Sequence, residues 1–261
     1  MQSQSKSEDP STRTWTWPSI LTTAKHTPRT STTTPNSKPD LPSPEQQALI
    51  DSLRTSPLTN PHPEQDQDQS ELKSTIEDIL SEYEDENDFS TSTSTSTPND
   101  KEEWEWQNLH AFLAFITKER IVPLEDVGIH VLRVALERGV EHHYHHGHHH
   151  HQLGTGVPPG TGRSKKMAVF VSCAAIWALV MGEELWERRG GTSQEEFPVG
   201  LSLSPRESVA PQDQVHGEAA VSKSRWQMWI DRFQFLSLAE DLDIKSRELA
   251  AEAAAVMRRV T

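Results

Sequence analysis

The sequence predicts an all-α protein, an irregular helical bundle of about five to seven helices with a disordered N-terminal tail and long loops. Three observations carry that expectation. Apolar residues from Trp104 to Val260 recur mostly at spacings of three to five, as in helices with one buried face. Only 33% of the 261 residues are apolar and 17 prolines interrupt them, so much of the chain is not expected to fold. About the first hundred residues are dominated by Ser, Thr, Pro, Gln, Asp and Glu, which bury too little surface to offset chain entropy. The expected organisation is a disordered tail over 1–42, acidic helices with a Ser/Thr linker over 43–100, and one helical core domain over 101–261. Within that domain, 140–166 is a His-rich loop and 190–221 a Pro-broken loop.

In the tail, Trp15 and Trp17 read as two isolated aromatics among Thr and Pro, the alternative being a short linear motif. Ser43-Pro44-Glu45 is a helix start: Ser caps, Pro suits the first turn and Glu favours the positive end of the dipole. Ala48, Leu49 and Leu53 then give a modest stripe. A second acidic helix is expected from Ser70, with Leu72, Ile76, Ile79, Leu80 and Tyr83 at helical spacing, and both helices are expected to dock on the core. The Ser/Thr alternation between Phe89 and Asp100 has no apolar face, which makes it a linker and a candidate phosphorylation target.

From Glu102 the pattern changes. Trp104, Leu109, Phe112, Leu113 and Ile116 define a first core helix. Pro123 restarts the chain, and Leu124, Val127, Val131, Leu132, Ala135 and Leu136 define a second that stops at Gly139; the two are expected to pair as an antiparallel hairpin. Met167 to Met181 is the most hydrophobic run, about fifteen residues, too short for the roughly 20 needed to span a bilayer and suited instead to the centre of a bundle. Ser222 and Ser224 can cap a helix whose Trp226, Trp229, Ile230, Phe233 and Leu236 fall on one face. The last helix starts near Asp243 and runs through Leu249, Ala250, Ala253, Val256 and Met257, with Arg258 and Arg259 at its negative end.

Three segments together resemble a fungal family known only as a domain of unknown function. They are Trp106-Gln107-Asn108-Leu109-His110-Ala111-Phe112-Leu113-Ala114 with Leu132-Arg133-Val134-Ala135-Leu136-Glu137, then Ala174-Ala175-Ile176-Trp177 with Gly182 and Leu185-Trp186, and then Arg225-Trp226-Gln227-Met228-Trp229 with Asp231-Arg232-Phe233. With the Ala-rich ending to Met257, they cover most of 102–260 in the expected order, which is more specific than any one motif, the Arg-Trp-x-x-Trp helix included. The resemblance implies a helical fold and no established activity. This chain departs from the family in having the Pro-broken loop and Val221-Ser222-Lys223-Ser224 where members typically carry a Gly- and Trp-containing stretch, and in its histidine-rich insert.

Eight histidines lie within ten residues: His142, His143, His145, His146, His148, His149, His150 and His151. Neutral imidazoles at this density chelate Zn, Ni or Cu, although a Gly-containing loop ending in Val157-Pro158-Pro159-Gly160 supplies no fixed geometry, and adventitious low complexity is the preferred reading. Asp126 and His130 form an i, i+4 pair, and His110 is expected as a satisfied, half-buried histidine. Glu183 and Glu184 are expected to bridge to Arg188 and Arg189, and Cys173 to pack in the core rather than act as a nucleophile. Arg133 and Arg225 are candidates for tethering the bundle internally, the weaker alternative being a pocket for an anion.

No phosphate loop, nucleophile elbow, dinucleotide fingerprint or His-Glu-x-x-His pattern is present, so no catalytic residue is nominated. A net charge of −14 disfavours nucleic acid and anionic membrane as partners; the short basic cluster Arg163-Ser164-Lys165-Lys166 flanks a hydrophobic segment. One cysteine and an N-terminus without an apolar signal core fit an intracellular protein of cytoplasm or nucleus. The leading expectation is a non-enzymatic helical interaction module with an unidentified protein partner; the alternative is a metal-binding or metal-buffering protein using the His142–His151 loop, with an enzyme of unknown class behind both.

Overall fold

A computed structural model describes residues 16–29, 41–56, 72–81, 100–137, 162–187 and 221–261. Among them are eight helices and no strand, so the protein is all-α, with one helix more than the upper end of the expected range. In chain order they are α1 (Trp17–His26), α2 (Pro44–Arg54), α3 (72–81), α4 (Asp100–Lys118), α5 (Glu125–Leu136), α6 (Gly162–Glu187), α7 (Lys223–Ser237) and α8 (Ile244–Arg259). The expected His-rich loop up to residue 161, the Ser/Thr alternation, Gly139 and the Pro-broken stretch up to residue 220 lie outside the described residues, while 162–166, expected as the end of that loop, are helical and form the start of α6.

Helix α6 is the axis of the fold because it is apolar on every side: Val169, Val171, Ala174, Ala175, Ile176, Trp177, Ala178 and Met181 are all buried. A helix without a polar face must be surrounded, and α4, α5 and α8 pack around it, with α7 laid on α8. The helix extends well beyond the Met167–Met181 run, and its Lys165–Glu187 portion, 23 residues, is long and apolar enough to cross a membrane. The length argument against spanning therefore does not hold; the helix is instead distinguished by its surroundings, with 89% of its most apolar window buried among the other helices. The expected α4–α5 hairpin does not form either. Both helices pack on α6 and scarcely touch each other, because the all-round apolar helix offers each a better partner than the other does.

Start and stop signals act as the residues dictate. Ser43 Oγ accepts from Gln46 N at 3.1 Å, and Ser222 Oγ from Arg225 N at 3.1 Å, so each satisfies a first-turn donor. Of the two serines before α7, Ser222 caps and Ser224 lies inside the helix. Asp243 caps α8 by accepting from Ser246 N at 3.0 Å. Helix α4 ends with Arg120 at φ 56°, Arg120 N–H bonding Thr117 O at 2.9 Å and Ile121 N–H bonding Ile116 O at 2.9 Å. That is a left-handed C-terminal cap carrying an arginine where glycine is usual.

The segment expected to be a tail contains α1. Trp17, Ile20, Leu21 and Ala24 fall at i, i+3, i+4 and i+7, all are buried, and α1 packs chiefly on α4. Burying the three large side chains stabilises the docking by about 1.5–3 kcal/mol each, enough to hold a ten-residue helix that would be marginal alone. Trp17 is thus a core residue, while Trp15 lies outside the described residues. On α2, Leu49, Ile50 and Leu53 join the core, as do Leu72, Ile76 and Leu80 of α3; Ser70 and Tyr83 lie outside the described residues.

Candidate functional site

Besides the buried Ser172–Ser246 hydroxyl pair between α6 and α8, polar side chains among the described residues form three larger sets of contacts within the bundle. At its centre, His110 of α4 is buried, and its Nδ1 accepts from Trp177 Nε1 at 3.1 Å, which places any ring proton of the neutral imidazole on Nε2. Trp177 in turn lies against Gly128 of α5: a Cβ there would sit 2.6 Å from Trp177 Cε3. The histidine and the indole therefore form a locked structural pair, more deeply buried than expected for His110.

The second place joins α5 to α7. Glu137 Oε1 accepts from Trp229 Nε1 at 2.9 Å and lies 3.2 Å from Arg225 Nε, while Glu137 Oε2 is 3.9 Å from Arg133 Nε. Arg225 thus ties α7 to the end of α5, as expected of it, whereas Arg133 meets the same carboxylate only as an i, i+4 neighbour on its own helix and tethers nothing across the bundle. Trp226, beside this node, donates to Met257 O at 3.2 Å and has Trp186 and Trp229 at ring-centroid distances of 5.4 and 6.1 Å. An open pocket of about 460 Å³ adjoins it, lined by Trp186, Lys223, Ser224, Trp226, Gln227 and Thr261. Its wall offers an ammonium, two hydroxyls and an amide but no carboxylate or imidazole side chain, and neither Arg133 nor Arg225 lines it.

The third place is the joint between the N-terminal layer and α4. Asn108 Oδ1 accepts from Arg29 N at 2.9 Å, and its Nδ2 donates to Lys25 O at 3.0 Å. Gln46 Nε2 donates to Asn108 O at 3.0 Å and Thr27 O at 3.3 Å, and Ser43 Oγ donates to Pro28 O at 2.6 Å. Lys25 Nζ sits 4.8 Å from the centre of the Trp106 ring, and His26 Nδ1 lies 3.2 Å from Glu105 Oε1. The joint is incompletely satisfied: Trp17 Nε1, Arg29 Nε and Gln46 Oε1 are buried without a hydrogen-bond partner. Burial pushes the Arg29 guanidinium below its ordinary pKa, partly offset by the Glu252 carboxylate.

Other nominated residues sort plainly. Cys173 is buried in α6, and burial pushes its thiol pKa far up, outweighing the opposing pull of Arg29, so it sits as a protonated packing group. Asp126 and His130 are exposed on α5. Glu183 is exposed and Glu184 half-buried, whereas Arg188 and Arg189 lie outside the described residues. So do His142, His143, His145, His146, His148, His149, His150 and His151. Among the described residues no group of three or more His, Cys, Asp or Glu is placed to hold a metal ion.

What sequence reasoning missed is at the surface. Trp104, expected in the core stripe, is 45% exposed, with Lys245 Nζ 4.9 Å from its ring. It stands off the buried face because α4 is enclosed only from Trp106 onward. Around the α7–α8 turn, Phe235, Leu238 and Ile244 are 59%, 74% and 69% exposed, with the Arg232 guanidinium carbon 5.1 Å from the Phe235 ring centre. Fold and site together define an all-helical protein built on a buried apolar axis, with internal tethers at Glu137 and Asn108 and an apolar corner left outside. A family described as "Protein of unknown function (DUF3632)" matches residues 17–233, and the chain belongs to that family. The match begins at the first residue of α1, so the N-terminal layer is part of the shared domain. No curated protein and no solved structure matches the chain.

Proposed function

We propose that this protein is a non-enzymatic helical interaction module that binds a protein partner through the α7–α8 corner. The observation that carries the reading is that, of the six exposed large hydrophobic side chains among the described residues, the three most exposed are Phe235, Leu238 and Ile244, all within ten residues of one another around a single turn. Grouped apolar side chains in water are disfavoured unless something covers them. The occupant is a heterologous protein segment with apolar side chains and a basic rim, because exposed Glu240, Asp241 and Asp243 surround the turn and a net charge of −14 on each copy opposes self-association. The same charge disfavours nucleic acid or an anionic membrane as the ligand, and the reading puts the protein in the cytoplasm or nucleus.

The test is cross-linked co-purification from the native host of the full chain and of a Leu238→Asp/Ile244→Asp variant of matched thermal stability. The reading expects specific proteins retained by the wild type, weakened by salt and lost with the variant. Retention unchanged by the substitutions, or none above background, would overturn it. A second reading, metal binding or buffering by Zn, Ni or Cu, is favoured by the density of imidazoles from His142 to His151. Stoichiometric, sub-micromolar binding by untagged protein, lost when 142–151 is deleted, would support it; weak substoichiometric binding would end it.

A further inference from the structure

Helix α1 is a short amphipathic helix that packs chiefly on one other helix, α4. Its ten residues carry anchors at i, i+3, i+4 and i+7, namely Trp17, Ile20, Leu21 and Ala24, the pattern by which an amphipathic helix occupies a groove on a larger protein. Its outer face is polar: Thr22 and Thr23 are exposed among the described residues, and their hydroxyls turn back to the Pro18 and Ser19 carbonyls. Thr16, at its N-cap, makes no side-chain capping bond. It sits on the face of α4 marked by Glu105, Trp106 and Asn108, held at its C-terminal end by the Asn108 and Gln46 hydrogen bonds. Of the six buried side-chain polar atoms that lack a hydrogen bond among the described residues, three, Trp17 Nε1, Arg29 Nε and Gln46 Oε1, lie along this one layer. A joint that leaves donors and acceptors unmet is where local opening is least costly.

We propose that α1 is a tethered, displaceable ligand of the α4 groove, and that the groove accepts in its place an amphipathic helix from a protein partner. That helix presents an aromatic residue, two aliphatic residues three and four positions on, and a small residue at the seventh, with a basic last turn to match Lys25 and His26. The groove is distinct from the α7–α8 corner, since Trp106 faces Lys25 of α1 while Trp104, two residues earlier on α4, faces Lys245 of α8. The tether keeps α1 at high effective concentration, so the free chain is self-occupied and a competitor must match or exceed α1 to enter.

The test uses the full chain and a fluorescent synthetic peptide of residues 16–29. The Leu21→Asp chain, whose own helix docks poorly, is expected to bind the peptide at least ten-fold more tightly than the wild-type chain does, and a Leu21→Asp peptide is expected to bind neither. Equal binding to both chains, or binding to neither, would overturn the proposal. So would loss of cooperative thermal unfolding in the Leu21→Asp chain, which would make α1 integral to the fold. Leu21→Asp leaves Leu238 and Ile244 untouched, so co-purification through the α7–α8 corner succeeds or fails independently of this result.

Discussion

Gly128 and Gly182 illustrate how far single residues are specified by their neighbours. The Cβ of an alanine at 128 would meet the buried Trp177 indole at 2.6 Å, and that ring is pinned by its hydrogen bond to His110. At 182 the nearest atom would be Val256 Cγ1 at 3.4 Å, ordinary contact. Gly128→Ala is therefore expected to destabilise by about 1–3 kcal/mol through overpacking, whereas Gly182→Ala should be neutral or stabilise by up to about 1 kcal/mol through helix propensity. Thermal or urea unfolding of the two variants separates them; equal effects would mean that α5 does not rest on Trp177. Glu137 makes a second contrast. Glu137→Ala leaves the Trp229 N–H without its acceptor and should cost about 1–3 kcal/mol. Glu137→Gln keeps an acceptor and loses only partly exposed ion pairs, worth roughly 0–1 kcal/mol, so a Gln variant as damaging as Ala would contradict the assignment. The carboxylate was not nominated from sequence, because one acidic residue at a helix end carries no signal until the fold brings Arg225 and Trp229 to it.

At the scale of elements, legibility followed the strength of local signals. Helices α2, α7 and α8 were readable because Ser43, Ser222 and Asp243 cap them and their apolar residues repeat on one face. Helix α1 was missed because Thr and Pro around Trp17 suggested a flexible segment; the available signal was Ile20, Leu21 and Ala24 at i+3, i+4 and i+7 from Trp17. Trp104 was assigned to the wrong face for a related reason: spacing fixes a stripe, but not where along the helix enclosure begins. At the end of α4, Arg120 adopts φ 56°, a conformation costing an L-residue about 1–2 kcal/mol. Arg120→Gly removes that strain but enlarges the unfolded ensemble, which subtracts about 0.4–1 kcal/mol, so a net gain of about 0.5–1 kcal/mol is expected in denaturant titration. A loss would mean that the arginine side chain contributes more than its backbone costs.

For the whole molecule, the arrangement is a hierarchy built outward from α6. The class of fold was legible because the helical periodicity and the uniformly apolar 167–181 run require a bundle with a buried centre. Pairing was not, since a helix apolar on all faces can take either neighbour and only the three-dimensional arrangement decides that α4 and α5 both choose it. The exposed apolar corner was not legible either: Phe235, Leu238 and Ile244 have the composition of core residues, and nothing local distinguishes an apolar side chain left outside from one turned in. The N-terminal layer joins by a few anchors and an unsatisfied polar joint, whereas α6 is enclosed by α4, α5 and α8.

Site-resolved hydrogen exchange on the full chain measures that hierarchy directly. Amides from Val169 to Met181 should exchange only through global unfolding, with the highest protection in the protein, while those of Ile20 to His26 should open at markedly lower free energy and before the α4 amides beneath them. Protection of α6 no greater than that of α1, or α1 and α6 opening as one unit, would contradict a bundle with α6 as its axis and α1 as its detachable layer.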